Sequence, residues 1–337
     1  MAMIQFTEPI AARQGRPATR ALTQAAVAAG RAPSIFNSQP WRWRIADDAA
    51  DLRADRQRQL RTADPDGRLL TISCGAALHH AGVTLAGGGF ATEVARLPDA
   101  GDPDLLARIR VTGTTGPPRR QAVRLQLAMA LRHTDRRPFA DVEVPAAALD
   151  RLCVAADDHG AHLRLLHPEE VVTLAVAAAR AGETERADPR YRAELAAWTG
   201  RCGDSSDGIR PATAARHEQR PVPLRDLDPG GLPSAETSEL VDRHARYGIL
   251  YSDGDTPLCW MTAGEALSAV LLTATAERLA ASPISEVIEV PAARALLRDL
   301  LGGAGYPMVA LRFGVPADGP LATAARRASA EVVERSG

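Results

Sequence analysis

The sequence lacks several features that would by themselves define a function. Its 337 residues include only four cysteines, which are widely spaced and form no C-x-x-C pair. This scarcity argues against a disulfide framework and favours a reduced, cytoplasmic protein. The first 15 residues lack a basic region followed by an apolar core, so we expect no secretory signal peptide. No apolar run approaches the roughly 20 residues of a membrane span, and we expect no membrane partner.

Lysine is missing as well, since all 40 basic residues counted as Lys or Arg are arginine. With 41 acidic residues the formal net charge is −1, so we expect no global electrostatic attraction to nucleic acid. A hydrophobic content of 45% and a charged content of 24% are ordinary for a globular protein. The length allows two domains, or one large two-part domain, with a substantial core.

The histidines do not predict a metal site. His79 and His80 are neighbours within a predicted helix, where adjacent side chains point about 100° apart and cannot easily bind one ion. His162 and His167 have no cysteine or carboxylate partners at metal-ligand spacing. The glycines before Phe90 do not match a dinucleotide-binding motif and are typical of a helix end followed by a turn. We therefore expect neither a metal ion nor a phosphate-binding loop of that kind.

Two pairs of segments repeat a pattern in the same order along the chain. "ALTQAAVAA" from Ala21 matches "ALDRLCVAA" from Ala148, and "GAALHHAGVTLA" from Gly75 matches "GEALSAVLLTAT" from Gly264. Each segment has the apolar spacing of a helix. These matches predict duplicated halves, residues 1–118 and 119–337, joined near the Gly- and Pro-containing connector 116–124.

The second half is longer than the first by about 62 residues, counted between the matching segments. Most of the excess falls at about residues 182–246, which are charged and contain several prolines. An insertion of this length in a compact domain is either a lid over a site or a loosely ordered loop. We favour the lid.

Alternating apolar residues predict six strands, and the helices between them make the fold α+β, or α/β with a partly antiparallel sheet. The clearest helix follows "YSDGDTP": Asp255 or Thr256 can cap it, Pro257 suits its first turn, and its apolar pattern runs to about Ala281. Residues 122–139 predict another helix, which opens the second half. The predicted strands are Arg42–Ile45, Thr92–Arg96, Leu105–Val111, His162–Leu166, Gly248–Ser252 and Met308–Phe313.

The stretch "RAPSIFNSQPWRWR", Arg31–Arg44, holds two of the four tryptophans. It follows an alanine-rich helical pattern, which Pro33 ends, and Ser34 and Asn37 suit a turn. The tryptophans then alternate with arginines, as in a half-buried strand. Such a turn exposes backbone N–H groups, a hydroxyl and a carboxamide, which can grip a planar polar heterocycle. On these residues alone, a plain helix C-terminal turn is the simpler interpretation.

Taken together, these pieces resemble the tandem nitroreductase-like flavoproteins of actinobacteria, the Acg family. The signature A-P-S-x-x-N-x-Q-P-W of the nitroreductase superfamily stands complete at Ala32–Trp41, and its R-[RH]-[ST]-x-[RK] signature stands at Arg132–Arg136. The segments that begin at Ala281 and Gly305 are also similar, and the resemblance covers about residues 21–333. It implies an α+β fold of the FMN-dependent nitroreductase type.

In the single-subunit relatives, as the resemblance implies, two FMN sites form at a homodimer interface. Each site uses the arginine signature of one subunit and the Pro-Ser turn of the other. Here the first half keeps only the turn, and the second half keeps only the arginine signature. One complete site can be assembled from these two elements. We therefore predict one FMN per chain, in a monomer that imitates a dimer.

The resemblance implies cofactor-binding roles for residues in four places. Arg132 and Arg136 are four positions apart, and we expect them on one helix face, where guanidinium groups suit the phosphate and the electron-rich pyrimidine edge. Arg326 or Arg327 would pair with the phosphate. The full set is Pro33, Ser34 and Asn37 in the turn; Arg132, His133, Thr134 and Arg136 in the arginine signature; Pro283, Ile284 and Ser285 after the long apolar helix; and Arg312, Arg326 and Arg327 near the C-terminus.

The implied function is that of an FMN-dependent oxidoreductase. NAD(P)H would reduce the flavin, and hydride would then pass through flavin N5, in ping-pong fashion, to a nitroaromatic, a quinone, an enone or a similar small acceptor. No side chain is expected to act as a general acid or base, because the cofactor carries the chemistry. The alternative is a protein that sequesters FMN beneath the lid with little or no turnover, a choice that depends on whether Trp198 fills the space over the flavin. A two-fold scaffold without cofactor is a third possibility, in which Arg132 and Ser34 would be relics.

Overall fold

The computed structural model describes residues 17–199, 205–210, 219–225, 227 and 241–335. Helices and strands alternate along this part of the chain and form two separate sheets. The helices are α1 Pro17–Ala29, α2 Arg68–Gly87, α3 Arg120–Leu131, α4 Ala146–Asp157, α5 Pro168–Ala187, α6 Pro189–Thr199, α7 Pro257–Ala276, α8 Glu286–Glu289, α9 Pro291–Leu300 and α10 Ser329–Val332. The strands are β1 Trp41–Ala46, β2 Ala49–Ala54, β3 Phe90–Arg96, β4 Leu105–Thr114, β5 His162–Leu165, β6 Arg246–Ser252, β7 Ala280–Ile284, β8 Tyr306–Gly314 and β9 Val333–Arg335.

All six predicted strands are present, and the α+β class is confirmed. The first sheet has the order β3-β4-β2-β1-β9, in which β9 runs parallel to β1 and the other neighbours are antiparallel. The second sheet has the order β7-β8-β6-β5 and is antiparallel throughout. If β5, β6, β7 and β8 are taken as counterparts of β1, β2, β3 and β4, the two sheets have the same strand order. The additional strand β9 brings the C-terminal end of the chain to the edge of the first sheet.

The two apolar helices α2 and α7 pack against each other at the centre of the molecule. At their crossing, a Cβ atom added to Gly75 would lie 3.0 Å from the Cα of Gly264 and closer still to the carbonyl oxygen of Met261. A Cβ added to Gly264 would likewise lie 2.9 Å from the Cα of Gly75, and closer still to the carbonyl oxygen of Ile72. The two glycines that begin the matching sequence segments are therefore in direct contact, and each is required because the facing backbone occupies the space of a side chain.

Both helices are long and apolar enough to cross a membrane by length and composition. However, 83% of the apolar window of α2 and 72% of that of α7 is buried inside the protein. Both helices contribute to the hydrophobic cores beneath the sheets, where Trp41 and Trp43 of β1 are also buried. These helices thus have the burial of core helices in a globular fold.

The prediction for the end of α7 is wrong. The helix ends at Ala276, and the apolar residues that follow belong to β7 rather than to a longer helix. Pro283 is accommodated there because β7 lies at the edge of its sheet, where a missing N–H leaves no ladder bond unmade. Apolar periodicity did not separate these elements because both are almost fully buried.

The inserted segment at about 182–246 is only partly described: residues 200–204, 211–218, 226 and 228–240 lie outside the described residues. The end of α5 and the whole of α6 belong to it. Residues 205–210 return across the first half, where Asp207 forms an ion pair with Arg58 and the carbonyl of Ser206 accepts a hydrogen bond of 3.0 Å from Gln39. The described part of the insertion is therefore anchored to the other half of the chain.

Candidate functional site

A cavity of about 510 Å³ lies beside the central helices α2 and α7, between the turn after α1 and the end of β7. Its wall combines the turn after α1, the segment after α3, both central helices, the end of β7, the C-terminal tail and the insertion. Eleven of the thirteen residues predicted to bind a cofactor line this one cavity. They are Pro33, Ser34, Asn37, Arg132, His133, Thr134, Arg136, Pro283, Ser285, Arg326 and Arg327.

The turn after α1 has an unusual backbone that hydrogen bonds hold in place. Phe36, Asn37 and Gln39 have φ values of 47°, 54° and 48°, which side chains other than glycine adopt rarely. The hydroxyl of Ser34 accepts a bond of 3.0 Å from the Gln39 N–H, and the hydroxyl of Ser73 in α2 accepts one of 3.2 Å from the Ile35 N–H. Strained backbone of this kind persists where the surroundings fix it, often at functional sites.

Asn37 links three elements of the cavity wall. Its Nδ2 donates to the carbonyls of Gly208 in the insertion, at 3.1 Å, and of Ala325 in the tail, at 3.0 Å. Its Oδ1 accepts a bond of 2.6 Å from Arg326. The Asn37 carboxamide, which sequence analysis assigned to cofactor binding, therefore links the turn, the insertion and the C-terminal tail through hydrogen bonds.

A group of three arginines forms one cationic end of the cavity: Arg31, Arg132 and Arg326. Arg132 and Arg326 both donate to the carbonyl of Arg31, at 3.5 and 3.3 Å. Burial and the neighbouring Arg326 lower the pKa of Arg132 to about 9, and burial with Arg31 lowers the pKa of Arg326 to about 10. Within the described part of the chain, Nε and one terminal nitrogen of Arg132 have no hydrogen-bond partner. This end concentrates positive charge that its own surroundings do not neutralise.

A second group contains Arg136, Arg225 and Glu286. Burial, opposed by Glu286 and assisted by Arg225, lowers the pKa of Arg136 to about 10. Arg225 comes from the insertion, whereas Glu286 begins α8 directly after β7. The two arginines of the signature therefore belong to different charged groups.

The expectation that Arg132 and Arg136 share a helix face is wrong. Helix α3 ends at Leu131, and Arg132 has φ −65° and ψ 124°, which is extended backbone. The signature then lies along the free edge of β7, where Thr134 forms a parallel bridge with Ala281 and the Asp135 N–H donates to the Ala281 carbonyl at 3.0 Å. Extended backbone separates residues four apart by more than ten ångströms, so the two guanidinium groups can serve two ends of one ligand.

Two predicted residues do not line the cavity, and their placement corrects those assignments. Ile284 is buried in the apolar core between the second sheet and α5. Arg312 is fully buried in β8, where it forms an ion pair with Asp242 and donates to the carbonyls of Asp135 and Arg137, both at 2.9 Å. Its side chain stabilises the backbone that carries the arginine signature. Nothing in the local sequence of Arg312 distinguished this role from ligand binding.

Arg327 lines the cavity but has partners elsewhere. Its N–H donates to Gln39 Oε1 at 2.9 Å, and its Nε lies 3.3 Å from a carboxylate oxygen of Glu331. Of the two tail arginines, Arg326 is the one that belongs to the cationic group with Arg132. Gln39 lies in the turn, where its N–H donates to the Ser34 hydroxyl, and Trp41 is buried in the core.

The insertion forms part of the cavity wall. Trp198 is not among the lining residues; it packs with Phe36, Tyr191 and Ile209 in an apolar cluster, of which Phe36 and Ile209 also line the cavity. The lining residues from the insertion are Gly208, Ile209, Leu224, Arg225 and Leu227. Sequence patterns did not identify these residues, because they reach the cavity through the path of a long irregular segment. Glu286 was also missed: it begins the short helix α8, and no local pattern marks it as a cavity residue.

A cavity with one cationic end, a second charged group that contains Arg136, a fixed polar turn and several apolar side chains is the kind of site that binds an extended anionic cofactor with a flat ring. No family model matches the chain. A Mycobacterium tuberculosis protein named "Putative NAD(P)H nitroreductase" is 38% identical over 313 residues, covering 90% of this chain and 88% of the relative. A second one from that organism, "Putative NAD(P)H nitroreductase acg", is 32% identical over 310 residues, covering 88% and 89%.

Among solved structures, the FMN-dependent nitroreductase NfnB from Mycobacterium smegmatis, in complex with NADPH, aligns with 64% of this chain and 100% of its own. Its TM-score is 0.41 and its identity is 16%. The FMN-bound nitroreductase from Bacteroides fragilis covers 59% of this chain and 91% of its own, with a TM-score of 0.34 and 15% identity. On the strength of its M. tuberculosis relatives, the chain belongs to the Acg-type family of NAD(P)H nitroreductase-like proteins. The membership predicted from the two signatures is confirmed.

Proposed function

We propose that this protein is an FMN-dependent oxidoreductase that uses NAD(P)H to reduce a small organic acceptor. The observation that carries the proposal is the 510 Å³ cavity, in which the Pro-Ser turn of the first half meets the arginine signature of the second. Its volume lies within the range of cofactor and ligand pockets. The naming of the curated relatives as NAD(P)H nitroreductases supports the same reaction class.

The residues present fit FMN. Its phosphate needs a cationic group, and Arg132 is a buried cation with two donor atoms that have no partner among the described residues. We assign the phosphate to Arg132 and Arg326, because guanidinium groups bind phosphate through paired hydrogen bonds. We assign Arg136 to the pyrimidine edge, and Pro33, Ser34, Asn37, His133 and Thr134 to further contacts along the cofactor.

When bound, FMN would supply the two-electron chemistry, taking hydride from NAD(P)H and passing it to the acceptor. The chain itself contributes position, charge and exclusion of water. At the pyrimidine edge, Arg136 would supply a positive charge that favours the reduced, negatively charged state of the cofactor. The apolar side chains of Ile209, Leu224 and Leu227 line the cavity, and they would limit the access of water to a bound cofactor.

We further propose one FMN per chain, in a monomer built from halves 1–118 and 119–337. The matching strand orders and the reciprocal contact of Gly75 and Gly264 support a two-fold relation between the halves. At the position that this two-fold relation gives as the counterpart of the cavity, polar side chains contact one another. Arg96, at the end of β3, binds Glu265 through two bonds of 2.6 and 2.8 Å, and the rings of His79 and His159 are 4.5 Å apart.

The second candidate is an FMN-sequestering protein with little or no turnover. The observation that favours it is the contribution of five residues of the insertion to the cavity wall. Arg225 in particular is buried and bonded to several carboxylates, so this wall is firmly anchored. A wall that stays closed would keep nicotinamide away from the flavin.

An absorption spectrum of the purified protein, followed by anaerobic addition of NADPH and then NADH, separates these functions. A flavin spectrum with one FMN per chain that bleaches within seconds supports the oxidoreductase. Flavin that bleaches with dithionite but not with either nucleotide supports sequestration. Absence of flavin after incubation with FMN would refute both.

A further inference from the structure

Three buried carboxyl groups surround the side chain of Arg225. Its terminal nitrogen lies 3.0 Å from Glu185, 2.6 Å from Glu289 and 3.8 Å from Glu286. Its backbone N–H donates to Glu286 Oε1 at 3.1 Å. All four side chains are at most 8% exposed. We call Arg225, Glu185, Glu286 and Glu289 the carboxyl cluster.

The charges of the carboxyl cluster do not balance when every group is ionised. One guanidinium faces three carboxylates, and the nearby Arg136 adds one more positive charge on the side of Glu286. Among the described residues, Tyr191 and Asp64 also interact with members of the cluster, and neither adds a positive charge. Excess negative charge in a buried group is relieved by binding a proton, which the members then share.

The individual groups agree with a shared proton. Burial, opposed by Arg225 and assisted by Glu289 and Glu286, raises the pKa of Glu185 to about 8. Burial also raises the pKa of Glu286, against the effect of Arg225. These directions and the excess of carboxyl groups around one guanidinium together favour a cluster that holds a proton near neutral pH.

The cluster reaches the cavity through Glu286. Glu286 and Arg225 both line the cavity, next to Ser285 and Pro283 at the end of β7. Glu185 and Glu289 are not among the lining residues, and they lie behind Arg225. Glu286 is therefore the carboxyl group of the cluster that can present the shared proton at the place where an acceptor would bind.

We propose that Glu286 is the proton donor for the acceptor that is reduced in this cavity, a role that rests on the proposed oxidoreductase function. An acceptor of the enone class takes up a hydride, which derives from NAD(P)H and carries two electrons, at its β carbon. The π bond of its C=C group is thereby broken, and the resulting enolate forms a C–H bond at its α carbon with the proton of the Glu286 carboxyl, whose O–H bond breaks. Glu286 is left as a carboxylate and regains a proton from the carboxyl cluster, which takes it up from solvent. NAD(P)H is oxidised and the enone is reduced by two electrons.

Glu286→Gln keeps the shape of the side chain and removes the acid. With an enone acceptor, the rate of the oxidative half-reaction should fall by roughly 100-fold, the lower end of what general acid catalysis contributes. With ferricyanide, which takes electrons without a proton, the rate should stay within about twofold. Glu183→Gln, an exposed position on the same helix as Glu185, is the matched control and should leave both rates unchanged. Equal losses with the enone and ferricyanide would overturn the proposal.

Glu185→Gln tests the sharing of the proton without touching the cavity. Removal of one negative charge makes the remaining carboxyl groups more acidic. The alkaline limb of the enone rate should therefore move to lower pH, by about one unit, while the FMN affinity stays the same. A limb that does not move would contradict the shared proton.

Infrared difference spectra of the FMN-free protein give a readout that needs no turnover. The carbonyl stretch of a protonated carboxyl group should be present at pH 7 and weaken above about pH 8, and Glu286→Gln should change it while Glu183→Gln should not. Absence of the band overturns the proposal. A protein that shows the band and binds no FMN would refute the oxidoreductase function itself, and the two failures are thus distinguishable.

Discussion

Replacement of Arg132 by methionine should stabilise the cofactor-free protein and weaken FMN binding. Burial next to Arg326 lowers the pKa of Arg132 from 12.5 to about 9. At 1.36 kcal/mol for each pKa unit, this fall corresponds to about 5 kcal/mol against the charged form in the folded, cofactor-free protein. Methionine removes that cost and loses one long hydrogen bond to Arg31. Because buried charges are often replaced by apolar side chains with a gain of stability, we expect the free energy of unfolding to rise by about 1 to 3 kcal/mol.

The same substitution removes a charge-assisted contact to the phosphate. Hydrogen bonds to charged groups contribute about 1.5–3 kcal/mol, so the Kd for FMN should rise by roughly 10- to 150-fold. Urea unfolding without FMN, and fluorescence titration with FMN, measure the two effects. Arg120→Met, at an exposed position of α3, should change neither. An Arg132→Met variant that is less stable without FMN and binds FMN as tightly as the wild type would refute the reasoning.

Three further substitutions test the fold and the cavity wall. Gly75→Ala should destabilise the protein by about 3 kcal/mol, because its Cβ collides with the backbone of α7, whereas Gly82→Ala on the same helix meets no atom within 4 Å and should be neutral or slightly stabilising in urea unfolding. Asn37→Ala should release residues 205–210 and the tail around Arg326, seen as faster amide hydrogen exchange in both and as faster FMN dissociation. Burial raises the pKa of Asp64 from 3.8 to about 6. Between these pH values the folded protein therefore binds more protons than the unfolded chain, and its free energy of unfolding falls as the pH rises. Asp64→Asn should make the free energy of unfolding less dependent on pH in this range, and an unchanged dependence would refute the assignment.

The motif-bearing parts of the site could be predicted because each is encoded locally. The turn of residues 32–41 follows from a helix stop and from residues that tolerate a left-handed backbone, as Asn37 does with φ 54°. The alternating tryptophans predicted β1, since one face of that strand is buried. The two signatures lie about 100 residues apart in the sequence, yet the structure places both in one cavity wall.

The parts that sequence analysis missed depend on contacts between distant segments. Arg312 has a basic side chain near the C-terminus, as a phosphate-binding residue would, but its ion pair with Asp242 exists only in the folded chain. The signature was expected on a helix because the pattern of α3 continues towards it, whereas pairing with the edge of β7 takes over at Thr134. Arg225 reaches the cavity from a segment without periodicity, and no local pattern marks it.

A single chain can change one of two related sites without changing the other. In a symmetric homodimer every substitution occurs at both sites, because an isologous interface repeats each residue. In the proposed fusion, Gly75 and Gly264 still meet symmetrically, since neither helix can move away without loss of the shared core. Away from this crossing, nothing requires the two halves to have the same residues. The ion pair of Arg96 and Glu265 can therefore occupy one site while Arg132 occupies the other. The same absence of constraint applies to the insertion. Its wall, with Arg225 and the carboxyl cluster, is needed at only one of the two sites, the one that contains both signatures, and so it can occur in one half alone.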